Sequence, residues 1–273
     1  MKPPPFAYAR AESTEHALDL LAGAGDDAKP IAGGQSLVPA LAYRIVRPTH
    51  LVDIGRLSEL DYVHEDGSGL RLGALVRHRA LADGEWGGCW RGLQVAARHI
   101  GHDAIRVRGT IGGSLVHADP AAELPVALVA LGGDVVVRGR DGSRTVGADD
   151  LFLAPFTTAV APGELLVEVR LPKPPNGGRT AFAEFAPRAG DFATACVFVG
   201  RAPGWARIAV GGVGGVPARA REAEELAAGG DLAAAADAAA RELEVYGDRF
   251  ADETYRRELI RVLVREALAE AAA

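Results

Sequence analysis

The chain has 273 residues, with 30 Lys plus Arg against 36 Asp plus Glu, a formal charge of −6 that excludes a basic nucleic-acid footprint. At 48% hydrophobic and 24% charged residues it has ordinary globular composition, enough for one large or two to three small domains. Its longest apolar stretches, such as Val126 to Leu131, are broken well before the roughly 18 to 20 residues of a membrane span. The start, Met1-Lys2-Pro3-Pro4-Pro5, has no secretory pattern, so the cytoplasm is the expected location. Two cysteines, Cys89 and Cys196, are too few for a disulfide scaffold, an iron–sulfur cluster or a thiolate zinc site.

Ser13 is placed to cap a helix whose Ala17, Leu18 and Leu21 share one face, with Gly23 and Gly25 ending it. A short strand reaching Ile31 and Ala32, a glycine turn, a helical turn over Leu37 to Tyr43 and a strand over His50 to Ile54 complete a small βα-type unit. Asp66-Gly67 and Asp141-Gly142 then mark hairpins, with strands near Leu70 to Leu72, Asp134 to Arg138 and Thr145 to Gly147. Between them the spacing predicts helices over Arg91 to Ile100 and after Asp119-Pro120, with Asp119 as N-cap. A strand over Glu164 to Leu171 precedes Pro172-Lys173-Pro174-Pro175-Asn176-Gly177-Gly178, a segment that fits neither a helix interior nor a central strand and so marks a domain border. Three further strands are expected, Thr180 to Ala186, Phe192 to Gly200 and Trp205 to Val210. A helical tail from Ala218 follows, with Leu259, Val262, Leu263 and Leu268 as a stripe expected to pack on its own domain, the alternative being a partner. The class is α+β, with mixed sheets.

Two glycine loops carry the chemistry: Ala32-Gly33-Gly34-Gln35-Ser36-Leu37 and Gly109-Thr110-Ile111-Gly112-Gly113-Ser114-Leu115. Each sets a Gly pair and a small hydroxyl at the end of an apolar segment, so backbone N–H groups can approach a phosphate with no Cβ in the way. Two such loops, converging, would cradle a pyrophosphate without any Lys, although Gly pairs also serve plain tight turns. No Gly-Lys-Ser/Thr ending exists, and Gly212-Val213-Gly214 lacks the third glycine of a dinucleotide fingerprint, which leaves it a turn after a strand. His99, His102 and His117 lack a carboxylate-bearing metal motif, so no metal site is expected. With no Gly-x-Ser-x-Gly elbow and neither Cys in an electropositive motif, no catalytic side chain is named.

These loops, together with Leu72-Gly73-Ala74-Leu75-Val76-Arg77-His78, Ile100-Gly101-His102 through Arg106, His117-Ala118-Asp119-Pro120-Ala121-Ala122-Glu123-Leu124-Pro125 and Arg188-Ala189-Gly190-Asp191-Phe192-Ala193, occur in one order along nearly the whole chain. In that order and spacing they resemble the FAD-binding medium subunit of the molybdenum hydroxylases, the family of the carbon monoxide dehydrogenase flavoproteins and the xanthine dehydrogenase flavin domain. The resemblance implies a PCMH/VAO-type FAD-binding domain in two lobes, residues 1–55 and 56–174, and a small C-terminal α+β domain, 179–273, of antiparallel sheet plus helices. It implies that Ala32, Gly33, Gly34, Gln35, Ser36 and Leu37 wrap the FAD diphosphate with Thr110, Gly112, Gly113 and Ser114. It sets Asp119 and Glu123 near ribityl or ribose hydroxyls, Leu166 against a ring, and Arg188 and Asp191 at the isoalloxazine side. The implied partners are a molybdopterin-binding large subunit and a [2Fe–2S] small subunit.

The sequence departs from many relatives at Val107, where Asn is common, and at Glu184 and Pro187, where Lys and Arg are common. Loss of positive charge near a flavin disfavours its anionic reduced form and lowers its potential. Two rival readings follow, a stand-alone flavin oxidoreductase acting on a small molecule and a flavin-free interaction scaffold, the latter opposed by the intact Gly33, Gly34, Gly112 and Gly113.

Overall fold

The computed structural model describes residues 2–272. The chain enters as β1 (Ala7–Arg10). Ser13 then takes an extended backbone and its Oγ accepts the His16 N–H at 3.1 Å, which starts α1 (Thr14–Ala24). Ala17, Leu18 and Leu21 are buried on its inner face, and Gly25, at φ +79°, ends it. Next come β2 (Ala28–Ile31), α2 (Leu37–Ala42) and β3 (His50–Asp53), and β3 lies between β1 and β2 in a small parallel sheet.

The second lobe begins with the hairpin β4 (Val63–Glu65) and β5 (Gly69–Gly73), turned by Asp66, whose Oδ1 accepts the Ser68 N–H at 2.8 Å. Five short helices follow: α3 (His78–Asp83), α4 (Arg91–His99), α5 (Asp103–Arg106), α6 (Ile111–His117) and α7 (Glu123–Leu131). After them come β6 (Asp134–Gly139), β7 (Gly142–Gly147), α8 (Ala148–Leu151), β8 (Phe152–Ala154), β9 (Thr157–Thr158) and β10 (Leu165–Pro172). The five-stranded order is β4-β5-β10-β6-β7, antiparallel throughout. Every residue of α7 is buried, because α4 and the C-terminal sheet both pack on it.

Beyond the proline segment, β11 (Arg179–Phe185), β12 (Ala195–Ala202), β13 (Trp205–Gly211) and β14 (Ala218–Arg219) form an antiparallel sheet in sequence order. It is followed by α9 (Arg221–Ala228), α10 (Leu232–Glu242) and α11 (Glu253–Glu270). Side chains alternate across this sheet. Phe182, Cys196, Phe198 and Ala209 join the core of the second lobe, while Ala181, Val197, Val199 and Ile208 pack with Ala235, Ala239, Val264 and Leu268 of the helices. Burial on both faces explains why β12 is a continuous apolar run.

Four expectations need correction. No helix starts at Asp119-Pro120: Asp119 Oδ1 accepts the Ala121 N–H at 3.0 Å in a local turn, the Pro120 carbonyl accepts the Gly212 N–H at 2.8 Å, and the helix begins only at Glu123. Ala218 pairs as a strand with Val210 instead of opening the tail helix. None of the three larger sheets mixes directions, since the parallel pairings are confined to the first lobe. In the tail stripe Val262 faces solvent at 55% exposure, whereas Leu263 and Leu268 are buried against their own domain.

Candidate cofactor-binding site

The first glycine loop leaves β2 and enters α2. Gly34 sits at φ +74°, a conformation L side chains avoid, and Gln35 folds its Nε2 back to donate to the Gly33 carbonyl at 3.1 Å. The N–H groups of residues 33–37 find no acceptor among the described residues, and Gln35 and Ser36 are exposed. A row of free N–H groups bent by a positive-φ residue is a concavity for an anion.

The second loop enters α6 with Thr110 as its N-cap, whose Oγ1 accepts the Gly113 N–H at 3.1 Å. Gly112 is pressed against β5's end: its N–H donates to the Ala74 carbonyl at 2.9 Å, and a Cβ on it would fall 2.7 Å from Ala74 Cβ. Gly113 is exposed, with only Thr110 Oγ1 near a would-be Cβ. The two loops touch. A Cβ on Gly33 would fall 2.1 Å from the Arg108 carbonyl oxygen and 3.0 Å from Gly109 Cα. The convergence expected from the Gly pairs is therefore a backbone-to-backbone contact that only glycine allows.

Two residues to which no role was assigned hold this contact. The buried side of Arg77 donates from Nη2 to the Gly55 carbonyl at 3.0 Å and from Nη1 to the Arg108 carbonyl at 2.5 Å, tying the first lobe to the second loop. His78 lies beneath that loop. Its backbone N–H donates to the Gly109 carbonyl at 3.0 Å, and its Nε2 lies 2.9 Å from the Thr110 carbonyl and 3.0 Å from Ser114 Oγ. A carbonyl only accepts, so Nε2 carries the proton. Burial pushes His78 down to about 4, so it is neutral at pH 7, and its buried Nδ1 has no partner among the described residues. Both residues sit at the end of the Leu72 to His78 motif; the signal was an Arg-His pair immediately after a buried strand.

The remaining candidates occupy four different settings. Asp119 is half-buried in its turn, its Oδ2 4.0 Å from His117 Nε2. Glu123 is 7% exposed, and burial first, then the neighbouring Glu184 and Asp119, push its carboxyl up to about 8. Leu166 is buried on β10 in the same hydrophobic cluster as Ile111, just before the second glycine pair, and Leu115, two residues after it. Arg188 and Asp191 are exposed in a turn closed by the Asp191 N–H on the Arg188 carbonyl at 3.1 Å. That turn rests on the segment ahead of the second loop: a Cβ on Gly190 would fall 2.5 Å from His102 Cε1. The structure thus joins the two loops directly and brings the 188–191 turn to their approach, while Leu166 stands behind them in the core. Among the described residues no three His, Cys, Asp or Glu side chains converge as a metal site, and no helix is long and apolar enough to cross a membrane.

Residues 4–174 match the model of the FAD binding domain in molybdopterin dehydrogenase, and residues 180–271 that of the CO dehydrogenase flavoprotein C-terminal domain. The chain belongs to the FAD-binding medium subunits of the molybdenum hydroxylases. It is 44% identical to the 6-hydroxypseudooxynicotine dehydrogenase complex subunit alpha of Paenarthrobacter nicotinovorans, over 99% of this chain and 96% of that one. It is 39% identical to the nicotine 6-hydroxylase medium subunit of the same organism, over 100% and 99%. The crystal structure of quinoline 2-oxidoreductase from Pseudomonas putida 86 superposes with a TM-score of 0.92 at 35% identity, covering 100% of this chain and 98% of that one. The chain is accordingly a flavoprotein subunit of an oxidoreductase, with the α+β architecture of that family, and its family's cofactor is FAD. The geometry fits this group: a diphosphate needs N–H donors without intervening Cβ atoms, and the first glycine loop presents them where it touches the second, whose own Gly112 and Gly113 N–H groups are taken by Ala74 and Thr110.

Proposed function

We propose that this chain is the electron-transferring flavoprotein subunit of a molybdenum hydroxylase complex, working between a [2Fe–2S] small subunit and a terminal acceptor, with a molybdopterin-binding large subunit as the site of substrate oxidation. The observation that carries this reading is the contact of Gly33 with Arg108 and Gly109, which sets the free N–H row of residues 33–37 beside the cap of α6. Bound FAD supplies the redox chemistry, accepting and releasing electrons at its ring. The chain's own residues bind and orient it. Ala32, Gly33, Gly34, Gln35, Ser36 and Leu37 on one side, with Thr110, Gly112, Gly113 and Ser114 on the other, hold the diphosphate. Arg77 fixes the spacing of the two loops and adds positive charge beside Arg108. Asp119 and Glu123 serve the sugar and ribityl hydroxyls, Leu166 backs the ring site from the core, and Arg188 and Asp191 stand at the isoalloxazine side.

This reading divides the chain into a lobe of residues 1–55, a lobe of 56–174 and a C-terminal domain of 179–273. Its support is that each part centres on an apolar cluster, on α1 and β3, on α7 and β10, and on β12 and α11, with residues such as Leu75, Leu165, Phe182 and Phe198 packing across the bounds. The assignment to a complex draws on the relatives named as a complex subunit and as a medium subunit. Anaerobic spectra of the isolated FAD-loaded chain test it. Dithionite should bleach the visible flavin band, whereas nicotine, quinoline or an aldehyde should leave it unchanged until the two partner subunits are added. Bleaching of the isolated chain by one of those small molecules would instead make it a stand-alone oxidoreductase.

A further inference from the structure

The second glycine loop has little backbone left to offer an anion. Its Gly112 and Gly113 N–H groups are taken by the Ala74 carbonyl and by Thr110 Oγ1, and the Ser114 N–H donates to the Thr110 carbonyl at 3.0 Å. What remains on this loop is a hydroxyl. Ser114 is half-buried and follows the exposed Gly113. The one hydrogen-bond partner of its Oγ among the described residues is His78 Nε2, at 3.0 Å.

The imidazole decides which way that bond runs. His78 is 4% exposed, and its Nε2 also lies 2.9 Å from the Thr110 carbonyl oxygen, which can only accept. The tautomer with its proton on Nδ1 would set the Nε2 lone pair against that carbonyl. It would also bury an N–H with no acceptor, because Nδ1 has no partner among the described residues and faces the backbone of Gly109, whose would-be Cβ falls 2.6 Å away. Burial keeps the ring neutral, and the charged groups acting on it, Arg77 and Arg106, are both cationic and oppose a further charge. With Nε2 protonated, no lone pair is left there to receive the serine proton. Ser114 Oγ is therefore the acceptor in its bond to His78, and its own O–H has no acceptor among the described residues. A hydroxyl held in this way is a donor waiting for an acceptor, and an anionic oxygen is the strongest one available to it.

We propose that His78 is a positioning residue for the cofactor site: donating from Nε2, it turns the Ser114 hydroxyl into a hydrogen-bond donor toward an anionic oxygen of the diphosphate. The two loops then bind by different means, the first through backbone N–H groups and the second through a side-chain O–H whose direction is set from beneath. This division rests on the reading of the chain as a flavoprotein. His78 itself does not touch the cofactor and acts only through Ser114.

Two measurements on the full chain test the assignment. Imidazole nitrogen NMR of the FAD-free chain at neutral pH, with the His78 signals identified by their loss in His78→Gln, should show Nε2 protonated and Nδ1 bare. A proton on Nδ1 would overturn the proposal whether or not FAD binds. Fluorescence titration with FAD then reads the coupling. Ser114→Ala should raise the dissociation constant about tenfold or more, as expected for loss of a hydrogen bond to a charged group. His78→Phe, its folding checked by circular dichroism, should weaken binding severalfold in the parent chain but by less than about twofold once Ser114 is alanine, because its effect passes through that hydroxyl. His78→Gln, whose side-chain amide can still donate, should keep most of the parent affinity. Equal losses from His78→Phe in both backgrounds, or unchanged affinity in Ser114→Ala, would overturn the positioning role. A parent chain that has the expected tautomer yet takes up no FAD would overturn the flavoprotein reading, and with it the diphosphate as the acceptor.

Discussion

Gly33→Ala places one methyl group where the two glycine loops touch. The added Cβ would lie 2.1 Å from the Arg108 carbonyl oxygen and 2.8 Å from its carbon, both backbone atoms. Restoring ordinary contact requires the loops to part by about 1 Å, and overpacking of this kind costs about 1–3 kcal/mol of stability. The displacement acts on the Arg77 to Arg108 bond, now 2.5 Å, and on the N–H row of residues 33–37. Each hydrogen bond to a charged phosphate that is lost costs about 1.5–3 kcal/mol, so the FAD dissociation constant should rise by about 10- to 150-fold. Fluorescence titration of FAD against the variant, beside a urea unfolding curve, measures both effects. Gly113→Ala is the control, because Gly113 is exposed and its Cβ would approach only Thr110 Oγ1, at 2.9 Å. Its unfolding free energy should stay within about 1 kcal/mol of the parent, helped by alanine's helix propensity, while FAD affinity falls. A Gly33→Ala chain that binds FAD within about threefold of the parent, a change of less than 1 kcal/mol, would refute the reasoning.

Three further outcomes follow from the same geometry. Glu224→Ala should destabilise the chain by about 3–5 kcal/mol in urea, because Glu224, 5% exposed, accepts the Ile208 N–H at 3.0 Å and the Arg219 Nε at 2.9 Å and leaves Arg219 buried and unpaired when removed. Glu123, with a native value of about 8 against 4.5 unfolded, binds a proton in the native state that the unfolded chain has lost. Its contribution, on the order of 3–5 kcal/mol, is present below pH 4.5 and disappears as pH rises through about 8; in Glu123→Gln that fall in urea-measured stability should be absent. His78 runs the other way: held at about 4 against 6.5, it stabilises above pH 6.5 and its contribution is lost as pH falls through about 4. His78→Gln should flatten the acid limb of the same curve.

Much of this fold was legible from local chemistry. Ser13 and the Asp-Gly hairpins each determine their element through interactions a few residues away, and the structure has α1 and both hairpins there; β3 also forms over His50–Asp53, with Leu51 and Val52 both buried rather than alternating. The start of α7 was misplaced because Asp119 does cap a turn, but the Pro120 carbonyl is claimed by Gly212, a partner more than ninety residues on that no local pattern shows. β1 was missed for a similar reason, since its four residues are ordered by pairing with β3 rather than by any burial pattern of their own. At the site, the glycine pairs were visible but their division of labour was not. Gly33 and Gly112 are required by close backbone approach, Gly34 by its φ, and Gly113 by neither. Arg77 and His78 could not be assigned roles because their partners are backbone carbonyls, which every residue carries. Glu184 was read as a charge at the flavin side, whereas its burial beside His99 depends on β11 packing on α4.

The central claim is that the two touching glycine loops hold FAD. Its most direct test is the flavin content of the purified full-length chain after reconstitution with FAD, measured by acid release and absorbance. The chain should be yellow, with one FAD per chain released intact into the acid supernatant, and the double variant Gly33→Ala/Gly113→Ala should be colourless at equal protein concentration. A folded parent chain that takes up no FAD, or a double variant that retains it in full, would contradict the account.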